Sequence, residues 1–388
     1  MYNIRKLNSI SGAIYDYLDK GACNIGENVE DCDAILVRSA SCHDMEFSKN
    51  LVAIARAGAG VNNIPIDKCS KMGIVVFNTP GANANAVKEL ALAGMFLASR
   101  NIVEATEWAK TLKGAKDIMP LVEKGKKQFV GPELYGKTLG VIGLGAIGVM
   151  VANAAHALGM KVFGYDPYIS IESAWGLSQY VERALTLDTL LEESDYITLH
   201  IPLLDNTKSF IGEAEIAKMK KGVILLNFAR NGLVSYEPLY EALKTRKIGT
   251  YVTDFPTDEL LGLPGTICIP HLGASTPESE ENCAKMAAQQ LRDYLDTGDI
   301  TNSVNLPGAR LPFSGIFRIA VIHANKSGMV GQMTAALAET GANITDMLNK
   351  SKGDIAYTIM NLDDNVPPET VDKLKNIEGV IRVRTFER

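Results

Sequence analysis

The sequence has few cysteines, few aromatic residues and no excess of positive charge. Six of its 388 residues are cysteines, 7% are aromatic, and the formal net charge is −6. The cysteines are scattered without a C-x-x-C pair, which argues against a zinc site or a disulfide framework. We therefore expect free thiols, no metal and a cytoplasmic location. A net negative chain also disfavours nucleic acid as a partner, because phosphates attract a basic surface.

Long apolar runs are missing as well. The longest, such as residues 89–99, are too short to span a bilayer. The beginning of the chain lacks the apolar segment of a signal peptide. We expect no membrane association, and the length of the chain predicts two or three domains rather than one.

Short apolar runs alternate with helix-like segments over the first three hundred residues. The helical spacing is clear in residues 149–158 and 238–244, and residues 87–110 predict one long helix that crosses between domains. The runs that are typical of buried strands are residues 34–37, 73–77, 138–142, 161–165, 196–200, 223–227 and 267–270. This alternation predicts parallel sheets that are covered by helices on both faces.

The last part of the chain has a different order of elements. Residues 301–316 contain two prolines and little periodicity, which indicates a linker. Beyond it the pattern predicts strand, helix, two strands, helix and strand. This βαββαβ order is typical of a ferredoxin-like module.

A glycine pattern gives the clearest chemical signal. Gly143, Gly145 and Gly148 follow the apolar run 138–142 and precede a helical segment. Such glycines permit a tight turn and let the backbone approach a pyrophosphate at the helix N-terminus. Asp166 ends the next predicted strand, where a carboxylate can accept hydrogen bonds from ribose hydroxyls and would repel a 2′-phosphate. The pattern therefore favours NAD over NADP.

Three further predicted strand ends carry polar residues. Arg230 follows one strand, an acidic turn with Asp254, Asp258 and Glu259 follows another, and His271 follows a third. Each alone could be a surface or structural residue. Because the carboxyl ends of parallel strands face one crevice, however, these residues can converge on a nicotinamide.

In this order, the motifs closely resemble the D-isomer-specific 2-hydroxyacid dehydrogenase family over nearly the whole chain. The motifs are residues 56–62, 78–80, 199–202 and 227–230. Residues 270–276 and 37–40 look like the branch of the family that oxidises 3-phospho-D-glycerate. The resemblance implies two Rossmann-like doubly wound parallel-sheet domains plus a ferredoxin-like βαββαβ domain. The expected domains are substrate-binding (1–86 and 272–300), NAD-binding (87–271), a linker (301–316) and regulatory (317–388).

The resemblance also implies catalytic roles. His271 would act as the general base on the substrate 2-hydroxyl, because imidazole titrates near neutral pH. Glu259 would polarise that imidazole, and aligning the turn differently selects Asp258 instead. Arg230 would clamp the substrate carboxylate through its planar guanidinium.

The family's binding residues carry over to matching positions. The implied cofactor contacts are Gly143, Gly145, Ala146, Ile147, Gly148, Asp166, His200, Pro202, Phe228, Ala229, Arg230, Asp254, His271, Gly273 and Ala274. The implied substrate contacts are Arg38, Ser39, Arg56, Ala59, Gly60 and Arg230. Arg38 and Arg56 are expected at the phosphate, with Lys126 as a further candidate. Asn231 stands where relatives have glycine, and we expect it to tolerate a positive φ there.

Residues 317–388 resemble an ACT domain, a small unit that binds amino acids. The matching positions imply that His323, Asn325 and Asn343 bind serine as an effector, since amides and imidazole suit a zwitterion. The alternative is a purely structural dimerisation module. Either way, a homodimer or homotetramer is expected.

Two rival functions stay open at this point. A glyoxylate or hydroxypyruvate reductase would share the fold, although the arginine pair and the C-terminal module argue against it. A non-enzymatic NAD-sensing protein, like the C-terminal-binding corepressors, would also share it. The ACT-like segment and the lack of basic flanks argue against this second rival.

Overall fold

The computed structural model describes residues 1–388 and divides into two compact units. The first unit combines Met1–Ala82 with Glu280–Arg388, and the second is Asn83–Ser279. The expected NAD-binding domain, 87–271, lies inside the second unit. The expected substrate-binding and regulatory domains fall mostly in the first. None of the helices has the length and apolarity needed to cross a membrane.

The first unit begins with a five-stranded parallel sheet in the order β2-β1-β3-β4-β5. Its strands are β1 (Tyr2–Leu7), β2 (Cys23–Gly26), β3 (Ala34–Val37), β4 (Ala53–Arg56) and β5 (Val75–Phe77). A short 3-10 helix (Gly12–Asp16) and helix α1 (Ile66–Lys71) connect them. All four residues of β3 are buried, as expected for a strand covered on both faces.

The second unit contains a seven-stranded parallel sheet in the order β12-β11-β10-β9-β6-β7-β8. Its strands are β6 (Thr138–Ile142), β7 (Lys161–Tyr165), β8 (Glu182–Arg183), β9 (Tyr196–Leu199), β10 (Val223–Asn227), β11 (Ile248–Thr253) and β12 (Thr266–Cys268). The strand order reverses between β6 and β9, and ligands of doubly wound sheets bind outside the strand ends at such a point.

Eight helices and one 3-10 helix (Lys126–Phe129) complete the second unit. The helices are α2 (Ala84–Ser99), α3 (Ile102–Thr111), α4 (Ile118–Gly125), α5 (Ala146–Ala157), α6 (Ile171–Gly176), α7 (Leu187–Glu193), α8 (Glu213–Lys218) and α9 (Tyr236–Lys244). The prediction of one long helix over 87–110 is wrong, because α2 and α3 are separate. Asn101 lies between them in the left-handed region, with φ of 48°. Asparagine tolerates that conformation, so the break needs neither glycine nor proline.

The C-terminal module follows helix α10 (Pro277–Thr297). Its elements are β13 (Phe317–Ala324), α11 (Met329–Ala338), β14 (Ile344–Lys352), β15 (Ile355–Leu362), α12 (Pro368–Lys375) and β16 (Val380–Glu387). The four strands form an antiparallel sheet in the order β14-β15-β13-β16. The predicted fold class, two parallel-sheet domains and a βαββαβ module, is confirmed.

Within the first unit, the C-terminal module shares a hydrophobic core with α10. Tyr294 and Leu295 of α10 belong to the same buried cluster as Tyr357 and Phe386 of the module. Arg384 donates to the carbonyl oxygens of Tyr294 and Leu295, at 2.9 and 3.0 Å. The N–H of Gly298 also donates to the Tyr294 carbonyl, and the Tyr2 hydroxyl donates to the Leu295 carbonyl. The module therefore packs against the C-terminal end of α10 and adds two hydrogen bonds there.

Residues 301–316, the expected linker, contain no helix or strand but are held in place. Asn305 is buried, and its side chain accepts from the backbone N–H of Val76 and donates to the carbonyl of Ile74, both at 2.9 Å. Arg318 is fully buried and donates to the carbonyls of Leu311 and Thr297. This segment is therefore part of the packed unit rather than a free tether.

Removing the Tyr357 hydroxyl tests how much its hydrogen bond to the end of α10 contributes to stability. This hydroxyl donates to the carbonyl of Gly298 at 2.6 Å and is buried. Tyr357→Phe leaves that carbonyl without its partner, so we expect the free energy of unfolding to fall by about 1–3 kcal/mol. Urea denaturation followed by circular dichroism measures this. Tyr17→Phe, at an exposed tyrosine of the same unit, should change stability little, and equal effects of the two variants would contradict the assignment.

Candidate active site

The glycines of the turn after β6 allow neighbouring backbone segments to approach one another closely. Gly143 has φ of 90°, and a Cβ there would lie 2.6 Å from the carbonyl oxygen of His200. A Cβ at Gly148 would collide with the carbonyl oxygen of Gly143, so this residue lets α5 pack against the turn. A Cβ at Gly145 would meet nothing, and Gly145 begins α5 without a side-chain cap. The start of α5 therefore offers open space and unpaired N–H groups, which suits a pyrophosphate.

Asp166 lies beside this turn. Its Oδ2 accepts from the backbone N–H of Leu144 and its Oδ1 from that of Tyr168, both at 2.8 Å. These two bonds fix the carboxylate and leave lone pairs on both oxygens for ribose hydroxyls. A cavity of about 440 Å³ is lined by Gly143, Gly145, Asp166, His200 and Pro202, among others. This size suits the adenosine part of a dinucleotide.

His200 is a neutral histidine at the edge of this cavity. Burial lowers its pKa to about 4. Its Nε2 lies 3.0 Å from the Thr198 hydroxyl, and its Nδ1 is buried without a partner. An uncharged ring is compatible with an apolar adenine pocket, because it adds no positive charge there.

Arg230 follows β10 and lies in an exposed turn. Buried side chains hold the backbone of this turn in place. The Arg230 guanidinium donates to the carbonyl of Ala229 at 2.7 Å. Asn227 is buried and donates to the carbonyl of Arg230 at 2.9 Å. The expected tolerance of Asn231 for a positive φ is not tested, because Gly232 takes that conformation instead, with φ of 89°. The turn therefore does not need glycine at position 231.

Phe228 contributes to the hydrophobic core rather than to an open surface. Its side chain is buried, and a Cβ at Gly94 of α2 would come within 2.9 Å of its ring. Only the backbone of Phe228 could face a cofactor. Ala146 and Ile147, by contrast, are exposed and half-buried at the start of α5.

Asp254 follows β11 and is the buried carboxylate of the site. It is 1% exposed. Its Oδ2 accepts from the N–H of Gly273 at 3.0 Å, whereas its Oδ1 is buried without a partner. Burial raises its pKa, against the Gly273 hydrogen bond and the charges of His271 and Arg230, which lower it. The structure thus brings Asp254, His271 and Arg230 close enough to interact, with one acceptor oxygen left for a bound donor.

The structure does not bring Glu259 to His271. The His271 ring packs on Phe255, with centroids 4.8 Å apart, and no hydrogen bond or ion pair joins it to Glu259 or Asp258. The Glu259 carboxylate is exposed, and bonds to its own backbone N–H and to the Thr257 side chain lower its pKa. The choice between Glu259 and Asp258 as the catalytic acid stays a prediction.

In the first unit, Arg56 lies against the glycine loop. A Cβ at Gly58 would lie 2.6 Å from its Nη1, and one at Gly60 would lie 3.6 Å from the same atom. Its Nε donates to the carbonyl of Arg38 at 3.0 Å. The half-buried loop residues Ala59 and Gly60 and the two arginines therefore form one cluster.

Arg38 itself is paired. Its Nη2 donates to Glu280 Oε1 at 2.5 Å. Ser39 is exposed, and its N–H donates to Asn8, so it has no free amide for a ligand. Lys126, the further candidate, forms an ion pair with Glu123.

The three expected effector residues differ in accessibility. His323 is buried, with Nδ1 2.9 Å from the carbonyl of Ala324 and Nε2 2.8 Å from the Thr358 hydroxyl. Asn325 is exposed and donates to the carbonyl of Gly353. Asn343 is exposed. Both ring nitrogens of His323 are occupied, so the histidine does not present a free polar atom to a ligand here.

Several residues near the site carry no recognisable sequence motif. The Tyr251 hydroxyl accepts from Asn227 at 3.2 Å, and Thr253 donates to the Asn227 carbonyl at 2.9 Å. Asn8, with φ of 73°, accepts from the N–H groups of Ser39 and Ala40. The only sequence signal is a polar residue inside or just after an apolar run, which is too common to be specific.

Comparison with known proteins agrees with this geometry. Residues 92–273 match the family model described as D-isomer specific 2-hydroxyacid dehydrogenase, NAD binding domain. A D-3-phosphoglycerate dehydrogenase of Escherichia coli K12 is 32% identical over 403 aligned positions, covering 98% of this chain and 94% of the relative. A hydroxypyruvate reductase of Thermotoga maritima is 42% identical over 264 positions, covering 65% of this chain and 81% of the relative.

A solved structure of an NAD⁺-bound 3-phosphoglycerate dehydrogenase from Entamoeba histolytica also resembles the chain. It has a TM-score of 0.60 and 28% identity, covering 78% of this chain and 98% of that one. Three other curated relatives, named D-3-phosphoglycerate dehydrogenase, are longer, and the chain spans about half their length. The expected resemblance and the expected NAD cofactor are confirmed by these matches. The chain therefore belongs to the D-isomer-specific 2-hydroxyacid dehydrogenase family.

Proposed function

We propose that this protein oxidises 3-phospho-D-glycerate to 3-phosphohydroxypyruvate with NAD, the first step of the phosphorylated pathway of L-serine biosynthesis. The observation that carries the proposal is the succession of strand ends in one parallel sheet. The glycine turn and Asp166 follow β6 and β7, and Arg230, Asp254 and His271 follow β10, β11 and β12. The full-length similarity to a D-3-phosphoglycerate dehydrogenase supports the choice of substrate.

The residues present fit NAD. The open space at Gly145 and the fixed Asp166 carboxylate suit its pyrophosphate and adenosine ribose. The unpartnered Oδ1 of Asp254 suits an amide donor of its nicotinamide. When bound, NAD supplies the acceptor for a hydride from C2 of the substrate.

The chain's own residues would then bind the substrate and move its proton. Arg230 would hold the substrate carboxylate through paired N–H donors. The imidazole of His271 would take the proton of the 2-hydroxyl as the C2–H bond breaks, so that the carbonyl forms with balanced charge. Glu259 or Asp258 would stabilise the imidazolium, and Arg38 and Arg56 would bind the phosphate. A cytoplasmic location stays a prediction.

Reduction of hydroxypyruvate is a second candidate. One observation favours it, namely that Arg38 is already neutralised by Glu280. The name of the Thermotoga relative agrees with that reaction. We prefer the phosphorylated substrate because Arg56 lies in the same cluster as Arg38.

The enzymatic proposal can be tested at the two catalytic side chains. Arg230→Ala and His271→Ala should each lower kcat/KM for 3-phosphoglycerate by about a hundredfold to ten-thousandfold, because each removes a group that acts in the transition state. Steady-state assays of NADH formation measure this, and fluorescence titration should show NADH binding retained. His156→Ala, at a histidine outside the site, serves as the control. Absence of turnover by the parent protein would overturn the proposal.

We also propose that the protein forms a homodimer or homotetramer through its second unit. Several large apolar side chains are exposed at the end of α2, along α3 and α4, and just after the 3-10 helix. They are Phe96, Ile102, Val103, Ile118, Met119 and Val130. Exposed apolar surface of this extent is typical of an interface.

The double variant Ile118→Asp and Met119→Asp should halve the mass in solution, because charges cannot be buried unpaired in an apolar interface. Light scattering after size exclusion measures the mass. Leu185→Asp, at an exposed leucine elsewhere in the unit, should leave it unchanged. A monomeric parent protein, or a double variant of unchanged mass, would contradict the prediction.

We further propose that serine binds the C-terminal module and inhibits. The exposed Asn343 and Asn325 support this, whereas His323 would have to give up an internal bond. Turnover should fall at millimolar serine, and Asn343→Ala should weaken that inhibition while Asn365→Ala, at an exposed asparagine of the same module, should not. Kinetics that serine leaves unchanged would remove the regulatory role and leave the enzyme assignment intact.

A further inference from the structure

The loop after β4 is fastened by the segment that follows β5. β4 and β5 are parallel neighbours, so both segments leave the same edge of the sheet. The side-chain Nδ2 of Asn78 donates to the carbonyl oxygen of Ala59 at 2.7 Å, and the backbone N–H of Thr79 donates to that of Gly58 at 3.1 Å. Two successive carbonyl groups of the loop therefore point towards residues 78 and 79.

These two bonds also set the direction of the N–H groups of the loop. In a trans peptide the C=O of one residue and the N–H of the next point in opposite directions, and the chain contains no cis peptide bond. Because the carbonyls of Gly58 and Ala59 face residues 78 and 79, the N–H groups of Ala59 and Gly60 face away from them. Neither N–H donates a hydrogen bond within the protein. Successive N–H groups of this kind suit an anion.

Gln290 of α10 holds the fastening segment in turn. Its side chain is 5% exposed, and its Nε2 donates to the carbonyl of Asn78 at 3.0 Å and to that of Met286 at 3.1 Å. Both partners are carbonyl oxygens, so the amide presents its NH₂ group to them. Its Oε1 is buried without a partner, which costs free energy. Gln290 therefore acts as a donor, and its bond to Asn78 is the one that leaves its own helix.

The bond from Gln290 reaches the loop through two peptide groups. The carbonyl of Asn78 and the N–H of Thr79 belong to one peptide, and the carbonyl of Gly58 and the N–H of Ala59 belong to another. Gln290 thus begins a chain in which each donor holds the next acceptor, and the chain ends at the N–H of Ala59. Hydrogen bonds in such a chain polarise one another, which makes the last N–H a stronger donor.

We propose that Gln290 and Asn78 are positioning residues that aim the N–H groups of Ala59 and Gly60 at the carboxylate of the substrate. This rests on the proposed function and on the expected contact of Ala59 and Gly60 with the substrate. Two neighbouring donors match the two oxygens of a carboxylate, which all 2-hydroxy acids share. Gln290 acts on the Ala59 N–H through the chain of peptides. Asn78 acts on the Gly60 N–H, because it holds the carbonyl of the same peptide.

Gln290→Met tests this, because it keeps the length of the side chain and removes the donor without adding a charge. With NADH as reductant, KM for 3-phosphohydroxypyruvate and KM for hydroxypyruvate should both rise by about three- to tenfold, the scale of one hydrogen bond. Both compounds carry the carboxylate, so the two factors should agree, with kcat little changed. Asn78→Ala should raise both KM values at least as much, since it removes the donor to the Ala59 carbonyl itself.

Binding can also be measured without turnover. Oxamate has the 2-oxo carboxylate but is an amide, which does not accept a hydride, and NADH fluorescence gives its dissociation constant from the NADH complex. This constant should rise by the same factor in Gln290→Met. Gln289→Met changes an exposed glutamine next to Gln290, and Tyr357→Phe removes another buried donor to a carbonyl of the same unit. Both controls should bind oxamate as the parent protein does.

Several outcomes would count against the proposal. Unchanged oxamate binding in Gln290→Met, or a parent protein that binds no oxamate, would remove the positioning role. A rise in KM confined to 3-phosphohydroxypyruvate would mean that the loop contacts the phosphate. An equal effect of Tyr357→Phe would trace the change to lost stability. Failure of the proposed function is distinguishable, because oxamate carries no phosphate. Gln290→Met would then still weaken oxamate binding, although the parent protein would not prefer the phosphorylated compound.

Discussion

The parallel pairing of the strands in the second unit is the constraint on which the site depends. Because β6, β7, β9, β10, β11 and β12 all run in the same direction, the residues that follow them lie at one edge of the sheet. That edge receives, in spatial order, an aspartate, a glycine turn, a neutral histidine, an arginine, a buried aspartate and a second histidine. The order separates an adenosine end from a reacting end, as a dinucleotide requires.

Within each unit, the charge of the candidate functional residues is controlled by local partners rather than by the net charge of the chain. Burial raises the pKa of Asp254, while the Gly273 hydrogen bond and the charges of His271 and Arg230 oppose that rise. His200 stays neutral because it is buried. In the first unit, Arg38 forms an ion pair with Glu280. Each group is thus adjusted by one or two neighbours and does not follow the net charge of −6.

The sequence predicts the parallel strands well, because strands buried on both faces are continuous apolar runs, as in residues 138–142 and 223–227. It predicts less where tertiary contacts decide the outcome. Asn101 breaks a regular helical pattern, and residues 301–316 are pinned by buried side chains from distant parts of the chain. The burial of His323 and the pairing of Arg38 with Glu280 depend on which residues meet in space. No local pattern encodes either of them.

The phosphate of the proposed substrate is the group that the arginine cluster, Arg38 and Arg56, is expected to recognise. The most direct measurement is kcat/KM for 3-phosphohydroxypyruvate and for hydroxypyruvate with NADH, on the same preparation of the full chain. We expect the phosphorylated compound to be preferred by about a hundredfold or more, and this preference to fall as ionic strength rises, because charged groups carry it. Equal values, or a preference for hydroxypyruvate, would contradict the proposed substrate.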